Sequence, residues 1–179
     1  MSWWGKLFRR ATTDFKHAIN PDKPVLIGGG VAAKIEELFL FEEFEDGGYS
    51  TCSVLVEPTE DGLYRLLETP FLDPFETPRG THGWFGDVIR VTPTEADKTG
   101  RRFVEVVRAG RFTRHEFILG EGFPESPDFD TFARKIVDAG GQWERVCGGF
   151  LLVHIPIDSH LDVERELTFH LRAWRSRDA

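Results

Sequence analysis

The stretch that decides the fold is GWFGDVIRV, residues Gly83 to Val91, with His82 just before it. It can be read as the rim of an active site, supplying an imidazole and a carboxylate. It can also be read as a turn that launches a strand. The turn reading is the stronger one. Gly86-Asp87 is tight-turn chemistry, an aspartate there accepts a backbone N–H, and Val88, Ile89 and Val91 are strand formers. Alternation sets Val88 and Arg90 on one face and Ile89 and Val91 on the other, inward face. Trp84 and Phe85 are adjacent and cannot both be buried easily. One of them is left for an exposed contact, and Trp84 is the candidate.

Upstream, the same strand-and-turn grammar repeats. IEELFLFEEF (35–44) and YSTCSVLVEP (49–58) read as strands around an EDGG turn, with a helix over 31–44 as the competing reading of the first. TEDG is another turn, and LYRLLETPF (63–71) another strand, closed by Pro70 and Pro74. Downstream, RRFVEVVRAGRFTRHEFIL (101–119) reads as two strands broken near Ala109-Gly110. Phe103, Val104, Val106 and Val107 suit a core strand. Short strands with such turns predict a small curled antiparallel sheet or partial barrel.

After Gly120 the apolar period changes from two to between three and four. DFDTFARKIVDAGG (128–141) is predicted as a helix capped by Asp128 or Asp130 and stopped at Gly140. Phe129, Phe132, Ala133, Ile136 and Val137 form its buried stripe. QWERVCGGFLLVHIPI (142–157) is predicted as a hairpin turning at Gly148-Gly149. Residues 159–174 form a last helix with Ser159 as N-cap and Asp162 in the capping-box position. With the preceding strand this half reads β-α-β-β-α, like a split β-α-β sandwich. The predicted class is therefore α+β. Residues 1–34 are an N-terminal amphipathic helix and a Gly/Pro connector, 35–120 the antiparallel β-rich part, and 121–179 the α/β part packed with the strands before it.

The N-terminal helix over 3–19 carries Trp3, Trp4, Phe8 and further apolar residues beside Lys6, Arg9 and Arg10. Such a helix packs on the domain, binds a partner or lies on a membrane surface. VLIGGGVAAK (25–34) has glycines before a lysine, but not the spacing of a phosphate-binding loop, and reads as a connector.

The chain has 179 residues, 40% of them hydrophobic, and a net charge of -8. That is enough for one core, and it argues against a wrapping contact with nucleic acid. No apolar run approaches the roughly 18–20 residues of a membrane-spanning helix. MSWWGKLFRR lacks the apolar segment of a signal peptide, so a cytoplasmic location is expected. Cys52 and Cys147 read as buried thiols in strands. Charge is uneven: residues 36–76 hold twelve acids and one arginine, residues 77–118 five acids and eight bases. An acidic face and a milder basic one suit a protein partner.

Catalytic signatures are weak. No GxSxG, HxxxH or CxxC occurs. His154, between apolar neighbours, reads as a satisfied strand histidine. His170 follows Glu166 at helical spacing and is expected to pair with it. His115 and Glu116 are adjacent in a strand and point apart. No catalytic residue, metal ligand or cofactor is assigned.

GLYRLLETPF (62–71), GDVIRV (86–91) and FVEVVRAGRFTRHEFIL (103–119), in that order, carry a resemblance. The matching positions include Leu63, Tyr64, Arg65, Leu66, Pro70, Phe71, Gly86, Asp87, Val88, Val106, Val107, Gly110 and Thr113. The chain resembles, over roughly residues 36–172, the bacterial domain family of unknown function numbered 4265. The resemblance implies a bacterial protein and no particular activity.

Three functional expectations follow. The first is a non-enzymatic acidic interaction domain, an immunity or accessory protein, contacting its partner through Trp3, Trp4, Phe8, Glu42, Glu43, Trp84, Arg108 and Arg111. The second is a small-ligand or hydrolase-like domain with a pocket between the halves, lined by Tyr64, His82, Asp87 and Arg114. The third is a nucleic-acid module on Arg101 to Arg114, where Phe103, Phe112 and Phe117 interleave with arginines. A two-fold dimer is compatible with all three and demanded by none.

Overall fold

The computed structural model describes residues 26–27, 30–31, 34–43, 49–60, 62–70, 82–94, 100–120, 122–146 and 149–176. The predicted N-terminal helix, with Trp3, Trp4 and Phe8, and the Cys147 position lie outside these residues. The fold is mixed α+β, with antiparallel strand pairs and, among the described residues, two α-helices. Two compact units divide the chain, one within residues 24–112 and the other taking in everything from Thr113 onward.

The first unit begins with β1 (Leu26–Ile27) and β2 (Gly30–Val31), which pair antiparallel. The segment predicted as a connector thus contains a short ladder. Next come β3 (Glu36–Glu43), β4 (Tyr49–Glu60), β5 (Leu63–Leu66), β6 (Val88–Pro93) and β7 (Arg101–Arg108). Each pairs antiparallel with the next. They close into a ring through a short parallel joint of β3 with β7, Leu40↔Arg101 and Phe41↔Arg102. An up-and-down run with an odd number of strands starts and ends in the same direction, so the joint that closes it has to be parallel. β5 is shorter than LYRLLETPF suggested, because the chain bends at Leu67 and Glu68.

Alternation fills the ring. Leu38 and Leu40, Val54 and Val56, Leu66, Ile89 and Val91 are buried together, with Cys52, Tyr64, Phe103 and Val106 packed against them. Ile89 and Val91 face inward as predicted, and Arg90 is exposed. β7 departs from the sequence reading. Ile89 pairs with Val106 but Val88 with Arg108, and Arg90 pairs with Glu105 but Val91 with Phe103. Val104 and Val107 are the residues skipped by these two register shifts. Each bulge flips the parity of the strand, so both valines leave the core, at 45% and 43% exposure.

The second unit runs β8 (Phe112–Ile118), a 3-10 turn (Phe123–Glu125), α1 (Pro127–Asp138), β9 (Gln142–Val146), β10 (Phe150–Pro156) and α2 (Val163–Arg175). The sheet order is β8-β10-β9, so the last strand sits between the two that α1 connects. Leu151, Val153 and Ile155 of β10 pack against Phe129, Phe132, Ala133 and Ile136 of α1 and Val163 and Leu167 of α2. Val137, expected in the buried stripe, is 40% exposed. It lies at the margin of the apolar arc, one residue past Ile136.

Both helix caps differ from expectation. α1 is capped by Ser126, whose hydroxyl accepts from Phe129 N and donates to Phe123 C=O. Pro127 at the first helical position makes Ser126 the natural cap, and Asp128 and Asp130 become first-turn acids that suit the helix dipole. α2 is capped by Asp162, which accepts from Arg165 N, while Ser159 accepts from Leu161 N before the helix begins. Gly140, at φ 75°, ends α1 as predicted.

The bulges give a direct test. Val104→Thr and Val107→Thr should change unfolding stability by no more than about 0.5 kcal/mol. Val106→Thr, which places a hydroxyl against the ring's core, should cost about 1–2 kcal/mol by urea denaturation.

Candidate functional site

Asp87 is 1% exposed. Its backbone N–H donates to Trp84 C=O, closing a turn over Trp84-Phe85-Gly86-Asp87. Its carboxylate accepts from Trp84 N through Oδ2 at 2.9 Å and from Gly110 N through Oδ1 at 2.6 Å. One carboxylate therefore ties the turn before β6 to the turn after β7. Gly86 has φ 84°, the left-handed value that favours glycine at the third turn position. Gly110 approaches it so closely that a Cβ on Gly110 would stand 2.7 Å from the Gly86 carbonyl carbon. The two turns touch backbone to backbone, and Phe85 packs edge-on against Phe112 beside them at 4.9 Å.

Around this joint the structure gathers three of the predicted contact residues. Phe85 is buried and Trp84 half-buried, so Trp84 is the more exposed of the aromatic pair. Arg108, at the end of β7 opposite Val88, and Arg111, just past Gly110, are exposed and enter no ion pair with a described residue. Other arginines are neutralised nearby: Arg65 by Glu57 at 2.7 Å and Arg90 by Glu105 at 2.9 Å. The turns thus carry two arginines that make no ion pair with a described residue, groups suited to carboxylate or phosphate oxygens, and a half-buried tryptophan. Of the acidic contact candidates, Glu42 and Glu43 lie at the end of β3, opposite Ser50 and Tyr49 on β4.

The four pocket candidates are placed differently. Asp87 is engaged with backbone amides. His82 is buried, its ring 5.5 Å from that of Phe103. Tyr64 is half-buried on β5 against the ring's core. Arg114 belongs to the other unit, where it pairs with Glu116 at 2.7 Å. Glu68, which the sequence reading passed over, is a second buried carboxylate, and it accepts from Leu55 N at 3.1 Å.

The second unit holds a buried pair. His154 Nε2 lies 2.8 Å from Glu144 Oε1, with side chains 1% and 5% exposed. His154 is satisfied, as expected, and the partner is the new fact. β9 and β10 pair Leu152 with Glu144 and His154 with Gln142, which puts Glu144 and His154 on the face turned away from the residues that pack on the helices. His170 lies at ion-pair distance from Glu166, as expected, but not at hydrogen-bond distance. Its Nε2 is 3.9 Å from Glu166, too far for a hydrogen bond, because the Glu166 carboxylate is taken by Lys135 at 2.5 Å. His115 stacks on Phe117, and Glu116 turns to Arg114. Among the described residues no cluster of three or more His, Cys, Asp or Glu is placed to hold a metal ion.

No protein-family model matches the chain, and no curated protein matches it. A crystal structure of a hypothetical protein from Neisseria gonorrhoeae is similar at a TM-score of 0.48 and 16% identity, over 78% of this chain and 89% of that one. That likeness adds nothing to the reading of the site.

Asp87→Ala should destabilise the protein by about 2–4 kcal/mol in chemical denaturation, since it removes two charge-assisted bonds and strands two amide donors. Asp87→Asn, which keeps an acceptor, should cost less than Asp87→Ala. Glu144→Ala should cost about 2–4 kcal/mol by removing a buried charged acceptor from His154, and Glu144→Gln markedly less.

Proposed function

We propose that the chain is a non-enzymatic protein-interaction domain, of the accessory or immunity type, that docks an acidic segment of a bacterial protein partner on the paired turns bearing Trp84, Arg108 and Arg111. The supporting observation is the Asp87 bridge. It holds the Trp84 turn and the Gly110 turn to each other through two hydrogen bonds. The flanking arginines are thereby presented from a preorganised backbone. Preorganisation lowers the ordering cost of binding, and an indole beside two guanidinium groups is the composition of a binding hot spot.

Asp87 is a positioning residue in this reading. Its carboxylate is buried and occupied by backbone amides, which suits a scaffold role. An acidic protein segment is favoured over nucleic acid because the chain as a whole carries a net charge of -8, which repels a long polyanion and tolerates a short acidic segment at one basic spot. Membership of the domain family numbered 4265 is part of the proposal. It rests on the sequence resemblance at Leu63, Tyr64, Arg65, Gly86, Asp87 and Gly110 alone, since no family model matches the chain.

The test is affinity capture on the native protein with crosslinking, followed by titration calorimetry with the captured partner. Arg108→Glu/Arg111→Glu should keep the wild-type melting temperature and weaken binding by about 30-fold or more, with affinity that falls as salt rises. Crosslinks confined to other surfaces, or undiminished affinity in the double variant, would sink the proposal. Retention of the protein on DNA or RNA at modest salt, lost in that variant, would replace the acidic protein with nucleic acid.

A further inference from the structure

His170 is 4% exposed, and neither ring nitrogen has a hydrogen-bond partner. An imidazole buried in that way needs an explanation. Its surroundings are largely aromatic: Phe132 of α1 lies 6.3 Å away and Phe169 of its own helix 5.2 Å away, centroid to centroid. Two charged groups face it among the described residues, Lys135 from α1 and Glu166 from α2. They are bonded to each other, Lys135 Nζ to Glu166 Oε2 at 2.5 Å, and this pair joins the two helices. The same Oε2 stands 3.9 Å from His170 Nε2. Glu166 and His170 are one turn apart on α2, so a change of rotamer carries the carboxylate from one cation to the other.

We propose that Lys135, Glu166 and His170 form an acid-responsive clamp between α1 and α2. While the imidazole is neutral, Glu166 bridges to Lys135. When the imidazole takes a proton from solvent, Glu166 turns to it and the bridge between the helices opens. Lys135 then loses its partner and faces a new positive charge, which loosens the helix pair further. The unsatisfied ring is the resting state of the device, and its missing partner is one turn away.

Burial is the main cause that holds the proton affinity of His170 below the ordinary histidine value, and the Lys135 charge adds to it. Glu166 acts in the opposite direction. The unfolded chain therefore binds the proton more readily than the folded one. Stability is complete above the ordinary histidine value of about 6.5 and is lost as pH falls from there through the folded value.

A double-mutant cycle on the full chain, with Lys135→Met and Glu166→Gln at about pH 7.5 and about pH 5, tests the clamp, since ordinary carboxylates stay largely ionised at both. The Lys135–Glu166 coupling should change the unfolding constant by about threefold at the higher pH and fall towards onefold as pH drops through the His170 midpoint that an NMR titration finds. Amide exchange along residues 163–175, corrected for intrinsic rates, should quicken at the lower pH, and His170→Asn should abolish both pH dependences. An NMR titration should find the His170 ring below the ordinary histidine range, and lower still in Glu166→Gln, a readout that survives if His170→Asn does not fold. Equal coupling on both sides of the His170 midpoint, a ring that titrates at or above the ordinary value, or one unmoved by Glu166→Gln would each overturn the clamp.

Discussion

The carboxylate of Asp87 is the constraint on which the strand ring depends. β6 and β7 must separate at one end to let the chain enter from the turn at Trp84 and leave through the turn at Gly110. Two backbone donors, Trp84 N and Gly110 N, are freed by that parting, and both are partly buried. A neutral side chain could satisfy one of them. The aspartate, with two acceptor oxygens, satisfies both and draws the turns into backbone contact. The glycines follow from this, since Gly86 needs a positive φ and Gly110 has no room for a Cβ. The stretch GWFGD is thus one unit of physics: an acid that needs donors, a turn that supplies one, and a neighbouring turn that supplies the other.

The two units use buried charge in different ways. In the ring, Asp87 and Glu68 sit on backbone amides and hold the chain's path. In the helical unit, Glu144 satisfies His154 across a strand pair, while Glu166 chooses between a lysine and a histidine across a helix pair. The first kind of carboxylate is held by backbone amides and rigidifies. The Glu166 kind has an alternative partner, and a choice between partners is what permits a response to pH.

Much of the architecture was legible. Strand identities in 36–43, 49–60 and 101–118, the hairpin of 142–156, both helices and the Gly140 stop follow from apolar period and turn chemistry, which act within a few residues. The inward set of Ile89 and Val91 was legible for the same reason. The misreadings share a cause. Val104 and Val107 looked like core because alternation assumes a regular ladder, and the bulges that expel them are set by pairing with β6. Asp128 and Asp130 looked like caps, but Pro127 at the first helical position makes Ser126 the cap and leaves both aspartates inside the first turn. Glu144 was hidden as the partner of His154, since a two-residue turn at Gly148-Gly149 would put them on opposite faces, and the observed register, one residue away with Leu152 opposite Glu144, puts them on one.

By itself the sequence determined most of the strands, the helices of the second unit and where the chain turns. Those properties depend on neighbours close along the chain. Only the tertiary structure decided that Asp87 joins two turns 23 residues apart, that the strand ring closes with a parallel joint, and that Glu166 bonds Lys135 in preference to His170. Each of these is a choice among partners distant in sequence. It is settled by which donor lies within about 3 Å of an acceptor once the chain has folded, and no local pattern of residue types carries that distance.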